Sequence, residues 1–308
     1  MTDRAQIVRV DSPAALPHKL PAGRFAVVDV AFASGERFAE TLRFITEHGA
    51  DLATWVDHHK HDGWTQFSAD ARFVLVPNVR AHACPELVTP EVVTRAGPVQ
   101  RVLAHSDFDG LMSAVNWLRG GEPPYPEANE DARAADSPGR GHHFTPRGRR
   151  LQDALEEHRD KAHTPQRHAL LTEVALSLVS GVESEDLKAR LDDLAVRASK
   201  AVKKAQQLVE TGRPELPGIF VVRHPGNLAA RLKKSVLLLA EERAPVGVVI
   251  EAVESGFFHV TAATFREDID LSRVALLPVG RSDFRFVNKV EFVEPILEAV
   301  STLAAPNG

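Results

Sequence analysis

The pattern His105-x-Asp107-x-Asp109-Gly110 sets an imidazole and two carboxylates on one short stretch. Asp57-His58-His59 sets a carboxylate and two imidazoles at the end of another apolar run, and Asp29 sits inside a third, FAVVDV (25–30). Mixed carboxylate and imidazole groups suit Mn²⁺ and related divalent ions better than the all-oxygen setting of Ca²⁺. An EF-hand is excluded, because it needs further oxygen ligands and a closing Glu, and Leu111-Met112-Ser113-Ala114 supplies neither. Gly110 permits a close turn of the ligand-bearing loop. Read alone, Asp57 could instead cap a turn beside solvated histidines. A carboxylate within a buried strand is costly without a partner. For Asp29 that partner could be a cation, a helix N-terminus or an arginine.

These groups need elements to position them. Phe25 to Val30, Leu52 to Val56, Phe73 to Val76 and Val99 to Ala104 read as buried strands, rich in β-branched residues. Between and after them, Glu36 to His48, the neighbourhood of Cys84 to Leu87, and Leu111 to Leu118 read as helices. Strand–helix alternation predicts a parallel sheet covered by helices, with any site at the carboxyl ends of the strands. Asp29, Asp57 and Asp107 all fall at or just beyond such ends. Pro138 to Arg150 reads as a loop, and Leu151 to Leu178 as helix broken near Thr164-Pro165. Ser184 to Glu210 is a long amphipathic helix with Ser184 as N-cap, and Thr211 to Pro217 has the composition of a linker. Farther on, a strand at Ile219 to Val222 and a helix at Leu228 to Glu242 precede a hairpin, Val246 to Val253 with Phe257 to Thr264. A strand at Val274 to Pro278 and a helix at Phe292 to Thr302 complete the chain. The expected fold class is therefore α/β: a parallel-sheet domain over 1–182, a linking helix and linker over 183–217, and a smaller α/β C-terminal domain over 218–308.

The 308 residues are 44% hydrophobic and 26% charged, a composition that builds an ordinary core. The net charge of −5 provides no global field for nucleic acid, so a polyanionic substrate needs a local patch or bound cations. Cys84 is the single cysteine, which excludes an internal disulfide and a cysteine-rich zinc site. With no signal-like N-terminus and no apolar run of bilayer-spanning length, the expectation is a cytoplasmic protein without a membrane partner.

The stretches VVD (27–29), WVDHH (55–59), HSDFDG (105–110) and AAD (134–136) resemble the four motifs of the DHH phosphoesterase superfamily. The resemblance covers about residues 20 to 140. It implies a parallel-sheet DHH-type domain with a smaller C-terminal domain, and two divalent ions, Mn²⁺ with Mg²⁺ or Co²⁺ as alternatives. It further implies that His105 and Asp107 hold one ion, that His58 and Asp109 hold the other with help from Asp136, and that Asp29 bridges them. Asp131 is an alternative to Asp136. His59 contacts the substrate phosphate or assists the leaving group, and Asp57 orients an imidazole. Ions about 3.5–4 Å apart polarise phosphoryl oxygens and activate water, so no Ser or Cys nucleophile is required. One departure stands out. The superfamily places its H-x-D-x-D run first, then the lone Asp, then DHH, whereas here Asp29 and Asp57-His58-His59 precede His105. This reads as a permutation, which a parallel sheet accepts if the moved strand reinserts in place.

The expected substrate is a short nucleotide: an oligoribonucleotide, a dinucleotide or a nucleotide phosphomonoester. A stable nucleic-acid complex is not expected, and a homodimer is possible on this reading. Arg223 and His224, before a helix start, and Arg281, after a strand, are candidate substrate contacts. His142 and His143, in a basic stretch with Arg147, Arg149 and Arg150, either line a phosphate channel or form a solvated loop. Trp64, Phe108 and Phe144 are candidates for base stacking. The superfamily's Gly-Gly-rich, His-containing C-terminal loop is absent. Two alternatives remain: a non-catalytic nucleotide or metal sensor on the same fold, and a pyrophosphatase-like enzyme.

Overall fold

A computed structural model describes residues 5–136, 141–157, 164–253, 256–266, 268–277 and 284–305. Arg281 lies outside them. The chain divides into two compact units, the first running through residue 195 and the second from residue 196.

The first unit is built on five strands: β1 (Gln6–Val10), β2 (Phe25–Val28), β3 (Leu52–Asp57), β4 (Phe73–Leu75) and β5 (Arg101–His105). They pair in the order β1-β5-β2-β3-β4, every neighbour parallel. Helices α1 (Phe38–His48), α2 (Pro90–Ala96), α3 (Phe108–Leu118), α4 (Ala128–Asp136), α5 (Pro146–Glu157) and α6 (Thr164–Ser180) follow, and α7 (Glu185–Glu210) begins in this unit. The central strands are apolar on both faces because both faces are covered. Val27, Trp55 and Leu103 pack with Phe44 and Ile45 of α1. Ala26, Val28, Val56, Val102 and Ala104 pack with Val92 of α2 and with Ala114 and Trp117 of α3. A third cluster joins Leu111 and Met112 of α3 to Leu155, Leu171 and the Leu187, Leu191, Leu194 face of α7. Ser184 starts α7 as expected, its hydroxyl accepting the Leu187 N–H at 3.2 Å.

The sheet order resolves the unusual motif order. The chain moves outward from β2 to β3 to β4, then crosses back to place β5 on the other side of β2. The strands ending in Asp57, Val28 (before Asp29) and His105 are therefore adjacent and parallel, although β5 comes late in sequence. The reversal of strand order between β5 and β2 is where open α/β sheets form binding crevices.

The second unit holds β6 (Arg213–Leu216), β7 (Ile219–His224), β8 (Val246–Ala252), β9 (Phe258–Ala263) and β10 (Phe284–Val290), with α8 (Ala230–Glu241) and α9 (Glu294–Ala304). Its order is β10-β9-β8-β7-β6, with only β7 and β8 parallel. The expected hairpin is β8 with β9.

One strand is unanticipated and three local expectations are corrected. Residues 6–10 form β1, where scattered charges hid a short strand containing Arg9. The expected loop 138–150 gives way to α5 from Pro146, because proline is accommodated in a first helical turn. The linker-like 211–217 holds β6, an edge strand in which Pro214 is tolerated because no ladder N–H is needed on the open side. Instead of a strand from Val274, a short 3-10 turn spans Leu271–Arg273, and the edge strand is β10.

Candidate metal centre

Three adjacent strand ends and two helices deliver the acidic and imidazole groups. Asp29 follows β2 with φ of 58°, a left-handed conformation that Asp tolerates better than most residues. Its N–H is held by the Val56 carbonyl at 2.9 Å. Its side chain is fully buried. Asp57 ends β3, and His58 and His59 follow it. His105 ends β5, Asp107 caps α3 by accepting the Gly110 N–H at 3.2 Å, and Asp109 lies in the first turn of α3. Asp136 ends α4.

His58 is the best-fixed ligand candidate. Its Nδ1 lies 3.0 Å from the Ala81 carbonyl oxygen, an acceptor only, so the proton belongs on Nδ1 and Nε2 presents a lone pair. Three carboxylate oxygens surround that Nε2: Asp109 at 3.4 Å, Asp29 at 3.5 Å and Asp136 at 3.5 Å. A lone pair facing three anionic oxygens is repulsive unless a cation or a proton stands among them. On the other side, Asp29 Oδ2 lies 3.8 Å from His105 Nδ1, which lies 2.7 Å from Asp107 Oδ2. The Asp29 oxygens thus divide the site, Oδ1 facing His58 and His59 and Oδ2 facing His105.

Asp29 Oδ1 and Oδ2, Asp57 Oδ2 and His58 Nε2 are all buried with no hydrogen-bond partner among the described residues. Leaving such groups unsatisfied costs about 1–3 kcal/mol each, more when charged. A divalent cation offsets that cost, and the donor set fits one. Asp29 with His105 and Asp107, and His58 with Asp109 and Asp136, each offer atoms all within 4.8 Å of one another. Asp29 with His58 and His59 forms a third such group. The cluster is a potential two-metal site.

Without ions, protons take up the imbalance. Burial, then the Asp109, Asp107 and Asp136 carboxylates, push the Asp29 pKa well above the usual carboxylate range. Burial and Asp109 lift Asp136 to about 6. Burial opposes charge on His58, but the neighbouring Asp109 and Asp136 outweigh it and raise the pKa to about 11. Burial likewise opposes charge on His105, and Asp107 outweighs it, giving about 9.

The alternatives considered for the motifs separate on geometry. Among the described residues neither Asp29 oxygen takes a hydrogen bond, whether from an arginine or from a helix N–H. Asp57 contacts an imidazole, its Oδ1 lying 2.8 Å from His59 Nδ1. Asp131 belongs to another network: fully buried, it accepts from Thr145 N at 2.6 Å, Thr145 Oγ1 at 2.8 Å and Tyr125 OH at 2.9 Å. Gly148 packs directly against it, where a Cβ would strike the carboxylate. Asp136, not Asp131, faces His58.

The remaining described candidates make other contacts. His142 bonds Glu130 Oε1 through Nδ1 at 2.9 Å, with Nε2 3.4 Å from His82 Nδ1, while His143 is exposed. Arg147 stacks on Tyr125, Arg149 on Phe144, and Arg150 pairs with Glu183 and Asp192. The described basic residues 147, 149 and 150 are thus engaged within the fold. Phe108 is a core residue and meets Phe144 edge-on, and Trp64 packs on the α1-side core. In the second unit, Arg223 forms a two-point pair with Glu215 at 2.8 and 2.9 Å. His224 Nδ1 lies 2.6 Å from the Gly226 carbonyl. Beyond that turn, buried Glu251 takes the Leu228 N–H.

Two contacts escape sequence reading. The Ala81 carbonyl fixes the His58 tautomer, and the Cys84 N–H reaches Asp109 Oδ2 at 3.4 Å. Both are backbone groups, so no residue type signals them. Cys84 itself is buried, and burial pushes its thiol pKa well up.

Gly110 matters for close approach. A Cβ there would run into the His105 carbonyl. Gly110→Ala should lower stability by roughly 1–3 kcal/mol and weaken Mn²⁺ binding. Denaturant unfolding and isothermal titration check both, and an unchanged Mn²⁺ isotherm would contradict the expectation.

No protein-family model and no curated protein matches the sequence. Among solved structures, the chain is similar to PggH, a pGpG-specific phosphodiesterase from Vibrio cholerae, at 11% identity and a TM-score of 0.48, over 92% of this chain and 99% of that one. It is similar to exonuclease RecJ bound to manganese at 14% identity and a TM-score of 0.47, over 92% of this chain and 76% of that one. An uncharacterized protein from Helicobacter pylori G27 matches at 10% identity and a TM-score of 0.27, over 90% of this chain and 82% of that one. Among the described residues no helix is long and apolar enough to cross a membrane.

Proposed function

We propose that this chain is a DHH-type, two-metal phosphoesterase that hydrolyses a phosphodiester or phosphomonoester of a short nucleotide. The observation that carries this reading is Asp29, buried, its two oxygens without partners and turned toward two different ligand groups. His105 and Asp107 would hold one ion, His58, Asp109 and Asp136 the other, and Asp29 both, with Mn²⁺ favoured and Mg²⁺ or Co²⁺ alternatives. When bound, such ions supply Lewis-acid charge to phosphoryl oxygens and lower the pKa of water.

The chain's own groups do the rest. Asp57 accepts from His59 Nδ1 and so fixes the ring. Burial opposes charge on His59, but Asp57 outweighs it and raises its pKa, so the imidazole can carry a proton to a leaving oxygen. In the same reading, residues 1–182 perform the chemistry and 183–217 join them to 218–308. That last segment contributes substrate contacts through Arg223, His224 and Arg281, while His142 and His143 serve near the end of α4.

The test is hydrolysis of short oligoribonucleotides, linear and cyclic dinucleotides, a nucleotide monophosphate and pyrophosphate, each with Mn²⁺, Mg²⁺ or Co²⁺. The expected result is divalent-dependent cleavage of a short nucleotide. Activity that survives combined Asp29→Asn and Asp109→Asn would refute the proposal. Tight nucleotide binding with no turnover would favour the sensor reading.

A further inference from the structure

Ser106 sits between two candidate ligands, His105 and Asp107, yet its own side chain is turned away from the carboxylate cluster and is buried, with 2% exposure. Its N–H extends the β1–β5 ladder by bonding the Val10 carbonyl at 3.0 Å. Its Oγ lies 3.2 Å from His168 Nε2 on α6, and the same Nε2 lies 2.7 Å from Oδ1 of Asp11, the residue after β1. The carboxylate is acceptor-only when ionised, so it receives the His168 N–H, and that same nitrogen links it to Ser106 Oγ. Burial pushes its pKa up, but the neighbouring His168, Ser106 and Arg167 side chains outweigh burial and hold it below the usual range. Three elements, the end of β1, the β5–α3 loop and α6, thus meet at the His168 ring.

The two ligand groups are held very differently. On the inner side, His58 is fully buried and its ring is pinned by the Ala81 carbonyl, while Asp109 is met by the Cys84 N–H. On the outer side, the His105 and Asp107 side chains are 27% and 24% exposed. Among the described residues the His105 ring has no hydrogen bond to a backbone group, and its Nδ1 lies against Asp107, itself a candidate ligand. Asp107 is held by the Gly110 N–H, and the residue between the pair supplies a second anchor.

We propose that Asp11, His168 and Ser106 form a clamp that positions the His105–Asp107 pair, so that they set the affinity of the outer ion without touching it. This rests on the two-ion reading of the site. All three are positioning residues. Groups of this kind typically change metal affinity about 10–100-fold. The clamp acts on one ion only, because nothing in it touches His58, Asp109 or Asp136.

Mn²⁺ titration of the full chain, followed by calorimetry and by electron paramagnetic resonance, tests the clamp. The wild type should take two ions and give the exchange-coupled signal of a Mn²⁺ pair. His168→Ala and, separately, Ser106→Ala should bind the first ion unchanged and the second at least tenfold more weakly. At one equivalent they should show the six-line spectrum of an isolated Mn²⁺. Asp11→Asn, at the surface end of the clamp, repeats the test should either of those variants fold poorly. Equal weakening of both ions, or two unchanged affinities, would overturn the clamp while leaving the two-ion reading intact. A wild type that binds fewer than two ions would overturn that reading and the clamp with it.

Discussion

Asp29→Asn should abolish two-ion binding and lower Mn²⁺-dependent hydrolysis by more than about a hundredfold, since even residues that merely support a ligand cost 10–100-fold when changed. The same substitution should raise the unfolding temperature of the protein in EDTA. Both effects have one cause. Asp29 is buried among Asp107, Asp109 and Asp136, and its oxygens find no hydrogen-bond donor among the described residues. The site is therefore built at a cost in stability that a bound cation offsets. Asparagine keeps the shape and tolerates the left-handed backbone at φ of 58°, so strain does not confuse the result. The sign of the pH dependence follows. A carboxyl whose folded pKa is raised contributes stability below its unfolded value of about 3.9 and loses it as the pH climbs toward the folded value. The advantage of Asp29→Asn in EDTA should accordingly grow from pH 5 to pH 8. Thermal unfolding at both pH values, beside an ion titration, checks this. A variant that still binds two ions, or that unfolds earlier than wild type in EDTA, would contradict it.

The second large effect is stabilisation by the ions themselves. A ligand that binds only the folded state at 100 times its Kd contributes about 2.7 kcal/mol, and two ions contribute about twice that. For a unit of this size each kcal/mol moves the melting point by about 2–4 °C. Saturating Mn²⁺ should raise the wild-type melting point by roughly 10 °C or more over EDTA. Asp109→Asn and His58→Ala should each lose at least half of the shift, because each removes a ligand from the inner group. Mg²⁺, which prefers all-oxygen shells, should give a smaller shift than Mn²⁺ at equal concentration. Scanning calorimetry measures all of these, and a wild type indifferent to Mn²⁺ would be decisive against the proposal.

Much of the site is legible in sequence because its chemistry is local. His105, Asp107 and Asp109 share one stretch, and Asp57, His58 and His59 another, each beside a β-branched run whose burial is dictated by composition. Asp29 is legible for a different reason: a carboxylate in a buried run must have a partner. The strands of the first unit's sheet, β1 apart, follow from the same periodicity. β1, α4 and the start of α5 do not, because short or charged elements take their structure from what they pack against. The second unit shows the same limit, since β6 and β10 are edge strands whose pairing, not their residue content, makes them strands.

Residue types by themselves determined the kind of site, since carboxylates and imidazoles beside strand ends form a candidate cluster for divalent ions. Only the tertiary structure decided which of these groups meet. The late strand β5 lies next to β2, so a ligand run that comes last in the first sheet faces Asp29. Asp136 rather than Asp131 turns toward His58, because Asp131 is satisfied by Thr145 and Tyr125. The Ala81 carbonyl sets which nitrogen of His58 is free. Strand order, helix rotation and backbone donors arise from long-range packing, and no local pattern of side chains encodes them.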